Sequence, residues 1–247
     1  MALSSFSVLR FPSLSMARLP RLVLPNHPHH IIQTGNDKQL IFREDEDCQR
    51  FLAWLKESAK DFKVAVHAYV LMPNHLQLLA TPTTEEGLAQ TMQRVGRYYV
   101  PWYNAKYARS GSLFQGRFKT SLIDAARYLM TCSRYIESNP VRSQLVSDAG
   151  EYKWSSYAHH AGIRPEPVIT DHALYWALGN TPFQREAAYI QLSLPLLSEV
   201  ELAAVDASVL KGWPLGSDQF KTELQRRANR QVLPAKRGRP FKLKPPP

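Results

Sequence analysis

The sequence predicts an α+β fold: a ferredoxin-like split βαβ around a central antiparallel sheet, continued by a C-terminal helical extension and a basic tail. Three observations lead there. Residues 63–80, KVAVHAYVLMPNHLQLLA, read as two strands joined by a sharp Met72-Pro73-Asn74 corner. Residues 44–59 carry Phe51, Leu52, Leu55 and Ala59 at spacings near 3.6, an apolar helical stripe. The order strand, helix, strand, strand, helix then accounts for most of a split βαβ unit.

The first strand is residues 29–34, HHIIQT, closed by a Gly35-Asn36-Asp37 turn. His27, His29 and His30 just before and within it invite a metal reading. Pro28 interrupts their spacing, however, and packing or nucleic-acid contact is the simpler role. The helix over 44–59 opens on acidic residues, as the helix dipole favours. In the strand that begins at His75, the period of two sends His75 and Gln77 to one face and Leu76 and Leu78 to the other. Two nitrogen- or oxygen-bearing side chains therefore share a face and could grip a divalent metal or a phosphate. A second helix starts near Thr84 and runs to residue 100 with Leu88, Met92, Val95 and Tyr99 as its stripe; Pro101 should stop or bend it.

Residues 106–120, KYARSGSLFQGRFKT, form a basic loop in which Arg109, Arg117 and Lys119 alternate with Phe114 and Phe118. That mixture suits single-strand contact, with rings on bases and cations on phosphates, and the end of the loop also fits a strand with one core face. Residues 124–138 form the next helix, capped by Asp124 and ended by Asn139-Pro140. Tyr128, Cys132 and Tyr135 lie near one face of it, and Trp154 closes the unit as a core plug. Residues 161–233 are broken by prolines into short helices, among them 171–178, 183–192 and 219–229. The tail from 234, PAKRGRPFKLKPPP, has little to bury and should be disordered when unbound. Residues 1–15 are Ser-rich and too weakly apolar for a signal peptide, and read as a disordered or non-native arm ahead of a start at Met16.

With 31 Lys and Arg against 21 Asp and Glu, the formal charge of +10 favours a polyanionic partner. Two cysteines, Cys48 and Cys132, make neither a disulfide framework nor a zinc-site spacing, which suits a reducing compartment. No run approaches eighteen apolar residues, so a membrane partner is not expected.

The motifs TGNDKQLIF (34–42), MPNHLQLL (72–79), LFQGRFKT (113–120), RYIESNPVR (134–142) and KWSSY (153–157) occur in this order over residues 16–160. As an ordered set they resemble the REP-associated tyrosine transposases, a domesticated branch of the IS200-like single-tyrosine HUH nucleases. That resemblance implies the split βαβ fold over 16–160 and binding of single-stranded DNA hairpins formed by REP-like repeats. It also implies cleavage beside the hairpin through a covalent 5′-phosphotyrosine. The nucleophile falls on Tyr128, with Tyr135 the alternative, and the metal site on His75 and Gln77, loaded with Mg²⁺ or Mn²⁺. Gln77 departs from the His-hydrophobic-His pattern; its amide oxygen is a neutral, weaker ligand. Cys132, four residues past Tyr128, is a poor partner for Mg²⁺.

Phosphate contacts are assigned to Arg97, Arg117, Lys119 and Arg142. In the tail, Lys236, Arg237 and Arg239 around Gly238 resemble an AT-hook core, which would lie in an A·T minor groove. The resemblance places the protein in the cytoplasm with the nucleoid, and the helical extension favours a monomer over a dimer. The rival readings are a hairpin-binding regulator without catalysis and a structural-RNA binder. A water-using two-metal hydrolase lacks the necessary density of His, Asp and Glu.

Overall fold

The computed structural model describes residues 21–228 and 231–233. The proposed Met16 start and the AT-hook-like residues Lys236, Arg237 and Arg239 lie outside them. Four strands form one sheet: β1 (His29–Thr34), β2 (Val64–Met72), β3 (His75–Pro82) and β4 (Lys119–Leu122). Their order is β2-β3-β1-β4, with every neighbouring pair antiparallel. With α1 (Asp45–Asp61) between β1 and β2, and α2 (Gly87–Lys106) between β3 and β4, this is the split βαβ arrangement. The expected first-strand bounds and the 72–74 corner agree with β1, β2 and β3.

Both of these helices cover one face of the sheet. Leu76, Leu78 and Ala80 of β3 point into a core with Phe51 and Leu55 of α1 and Val95, Tyr99 and Tyr103 of α2. Glu44 and Asp47 cap α1 reciprocally, which accounts for its acidic start. Pro101 does not stop α2, which runs five residues further. Pro101 is exposed, while Trp102 and Tyr103 beyond it pack on the core, so burial outweighs the one backbone bond that proline removes. Phe114 and Phe118 also belong to this core rather than to a base-stacking surface, and Arg21 lies over the Phe118 ring.

The second face is covered by α3 (Ala125–Glu137) over β2 and β3, and by α8 (Glu199–Lys211) over β4 and β1. Val70 and Leu79 from the sheet, Leu129 and Ile136 from α3, and Val205 from α8 share one cluster there. After α3 come the single turns α4 (Asn139–Arg142), α5 (Tyr157–His160) and α6 (Ala173–Trp176), then α7 (Pro182–Ser193) ahead of α8, and α9 (Asp218–Arg227) after it. Asp124 starts α3 as expected, but its carboxylate accepts from Ser217 N–H instead of capping the helix.

The chain beyond α4 is tied to both ends of the sheet. Leu71 N donates to Trp154 O, Ser156 N to Tyr69 O, and Thr170 N to Val66 O along the outer edge of β2. Leu215 bridges to Ile123 beside β4. Below α3, the buried Glu137 carboxyl group accepts from Ser156 Oγ, His160 Nδ1 and Tyr189 Oη, so it is satisfied by the α5 segment and α7 together. Among the described residues no helix is long and apolar enough to cross a membrane.

Candidate nucleic-acid site

His75 and Gln77 do share a face, the one that α3 and α8 cover. They do not look out to solvent together: Gln77 is only 2% exposed, whereas His75 is half-buried at the strand end. The Gln77 Oε1 accepts from His30 Nε2 at 2.8 Å, a diagonal pair across β1 and β3. Its Nε2 turns toward His75 Nε2 at 3.4 Å. His75 Nδ1 donates to Asn74 Oδ1 at 2.8 Å, which leaves its Nε2 as a lone pair. Asn139, the first residue of α4, brings its Nδ2 to the same lone pair at 3.2 Å. Burial, helped by the Arg142 charge, holds His75 neutral with its pKa down at about 4. Burial does the same to His30.

A hard divalent ion was the expected occupant of this point. Among the described residues no three His, Cys, Asp or Glu side chains converge to hold a metal, so the donor set has to include amides. Two side-chain amides already approach the His75 lone pair, and turning an amide over exchanges its N–H₂ for its oxygen. For Gln77 this moves the His30 proton to Nδ1, which has no partner in either state. A site of one imidazole nitrogen and two amide oxygens fits Mg²⁺ or Mn²⁺ loosely and lacks a carboxylate. Cys132 is fully buried, with its thiol pKa pushed up by burial, and is no ligand.

Of the two candidate tyrosines, Tyr135 is beside this cluster. Its ring meets His30 edge to face at 5.6 Å, Arg142 lies 4.2 Å above it, and its hydroxyl donates to Asp206 of α8. Burial and that carboxylate raise its pKa to about 12. Tyr128 is half-buried on the same helix, its backbone bonded to Asp124 O and Arg127 5.7 Å from its ring. Eleven residues separate it from Asn139, about 16 Å at the helical rise. Tyr128 therefore needs a movement of α3 or of a bound strand to meet His75.

The basic residues divide. Lys119 pairs with Ile32 on β1, and Ile32 with Gln77 on β3, so Lys119 stands level with Gln77 at the exposed edge of the sheet. Ser121, two residues on, bonds Ser208 of α8, which sets Lys119 on the α3–α8 face. Half-exposed Ile32 and Thr34 continue an open strip from Lys119 to His75, and Arg142 borders it. Arg117 is exposed just ahead of β4. Arg97 is exposed on α2, which covers the opposite face, and is not brought to this strip. Of the three early histidines, His29 is buried and accepts from Leu24 N, and His27 binds Pro25 O, so they pack and do not converge. His30, weighed from sequence only within the His27, His29 and His30 cluster, is the one of the three that reaches the site, and Asn139 and Asp206 were not singled out as site residues.

Residues 24–139 match the family described as transposase IS200 like. This segment is similar to the IS200-like transposases. Among solved structures the chain is similar to a REP-associated tyrosine transposase bound to a REP hairpin, at 14% identity and a TM-score of 0.51. That match covers 64% of this chain and 92% of the other, and it is a likeness of fold. Looser matches are a transposase-like protein of Deinococcus radiodurans R1, at 15% identity, TM-score 0.34 and coverage of 47% and 89%, and tRNA(His) guanylyltransferase of Saccharomyces cerevisiae, at 8%, 0.38 and coverage of 74% and 86%. None of the curated proteins matches the sequence. The matched segment ends at Asn139, the residue whose amide meets His75.

Proposed function

We propose that the protein binds hairpin-forming single-stranded DNA, of the REP-like kind, and cleaves and rejoins a strand beside the hairpin through a covalent 5′-phosphotyrosine on Tyr128. The observation that carries this reading is the neutral His75 Nε2 lone pair with two side-chain amides turned on it, at the open end of an IS200-like transposase sheet. His75 and Gln77, with Asn139, would hold Mg²⁺ or Mn²⁺. Such an ion supplies positive charge against the oxygens of a phosphorane. Lys119, Arg117 and Arg142 take the strand's phosphates along the strip, and His75 stays unprotonated at neutral pH.

In the cleavage step the Tyr128 hydroxyl gives up its proton, its oxygen bonds to phosphorus, and the P–O3′ bond breaks. The leaving 3′-oxygen takes a proton. One phosphoester replaces another, so a 3′-hydroxyl can reverse the step without ATP. Because α8 covers the β1 and β4 part of the sheet, a monomer is the favoured state.

A second reading has its own support. The Gln77–His30 bond and the separation of Tyr128 from His75 favour a hairpin-binding protein that cleaves slowly or not at all. Suicide single-stranded DNA with Mn²⁺ decides between them. A covalent adduct lost in Tyr128→Phe supports the nuclease; an adduct lost only in Tyr135→Phe moves the nucleophile; no adduct in the wild type leaves the binder.

A further inference from the structure

Beyond the end of α3 the chain encloses a cavity of about 240 Å³. Ser138, Val141 and Arg142 form one side, and residues 193–197, which lead from α7 to α8, form the other with Leu202. Most of this lining is apolar, but two polar groups in it are unmatched. Arg134 Nε and Ser193 Oγ are shielded from solvent and have no hydrogen-bond partner. The Arg134 guanidinium is held in place by its Nη2, which donates to Pro195 O at 2.6 Å. Unpaired buried donors of this kind mark a missing ligand or water.

We propose that this cavity receives one unstacked base of the bound DNA strand. The proposal rests on the hairpin-binding reading above. Arg142 lines the cavity and also lies over Tyr135, one turn of chain from Asn139 at His75, so the pocket adjoins the strand path. Its size is just below that of pockets for drug-sized ligands, enough for a single heterocycle. A base fits better than a phosphate because the carbonyl end of α3 faces this region and carries partial negative charge. Exocyclic amines favour that end, while the free Arg134 Nε–H and the Ser193 hydroxyl suit a ring nitrogen or carbonyl. Glu137 borders the cavity, yet its oxygens are already taken by Ser156, His160 and Tyr189. Leu194 and Leu196, 64% and 80% exposed at the mouth, offer apolar cover for the flat face of the base.

The test is an abasic scan of a hairpin oligonucleotide with single-stranded flanks, read by fluorescence anisotropy. In the wild type, removing the base at one flank position should weaken binding about tenfold. Leu202→Trp, which fills the cavity, and Arg134→Lys, which loses the Nε donor, should each erase that position's effect. Circular dichroism checks that both are folded, and Val141→Trp replaces Leu202→Trp if that variant is not. Hairpin binding with a flat scan, or a sensitive position that persists in the variants, overturns the pocket and leaves hairpin binding standing. Failure to bind the hairpin overturns both. Saturable binding of free deoxynucleoside monophosphates that Leu202→Trp abolishes, alongside a flat scan, would make it a free-nucleotide site and overturn the strand assignment.

Discussion

Acidification from pH 7 to pH 5 should cost this fold several kcal/mol, because four sheet histidines are buried neutral. Burial is the largest cause in each: it lowers His29 to about 3 and His30, His67 and His75 to about 4. The ordinary value is about 6.5, so on lowering the pH the unfolded chain takes up protons first. Between about 6.5 and 4 the unfolded state binds more protons than the folded one, and stability falls as pH falls. At pH 5 each such histidine costs about 2 kcal/mol. Four together approach the whole stability of an ordinary domain, about 5–15 kcal/mol. Urea titrations at pH 7, 6 and 5 measure the loss from the midpoint and slope. His30→Gln keeps an amide donor for Gln77 but cannot titrate, so its loss from pH 7 to 5 should be smaller than the wild type's by about 2 kcal/mol. Equal losses in the two proteins, or no loss in either, would refute the reasoning.

Gln77→His should raise Mn²⁺-dependent adduct formation several-fold, since imidazole is the better ligand; the yield of tyrosyl–DNA on a denaturing gel is the readout. Arg117→Ala with Lys119→Ala should weaken hairpin binding and lower the slope of log K against log salt by about 1.4–1.8, two phosphate contacts' worth. Filter binding from 50 to 200 mM salt checks it. Tyr189→Phe removes one of the donors to buried Glu137 and should destabilise the fold by about 1–3 kcal/mol. Thermal unfolding measures this, and an unchanged midpoint would count against the role given to that carboxylate.

The sheet was legible because its cues are local. Alternation in residues 63–80, the Pro73-Asn74 corner and the acidic start of α1 each need only neighbouring residues to be read. Pro101 misled because its cost is local while the packing of Trp102 and Tyr103 that outweighs it is not. The extension was legible only in part. The helices read at 171–178, 183–192 and 219–229 correspond to α6, α7 and α9, but α8 went unread, although Ser198 and Glu201 form a capping box at its start. Its apolar residues make no clean stripe: Val205 and Val209 are buried, while Val200 and Leu210 are exposed. For the site, strand parity placed His75 and Gln77 on one face correctly. Nothing in a one-dimensional pattern could show that His30, forty-seven residues earlier, would take the Gln77 oxygen. Asn139 was visible as a helix terminator, and a polar side chain held before a proline in a buried turn was the available signal.

The rim of β2 bears on how the gene can be cut. Left bare, the amide and carbonyl groups of Val66, Tyr69 and Leu71 would be an open template for another chain to pair with. Here that template is filled by residues 154–156 and 170 of the same polypeptide. A fragment trimmed to residues 24–139 alone would end before its own edge guard, and should precipitate or polymerise where the longer protein stays dispersed.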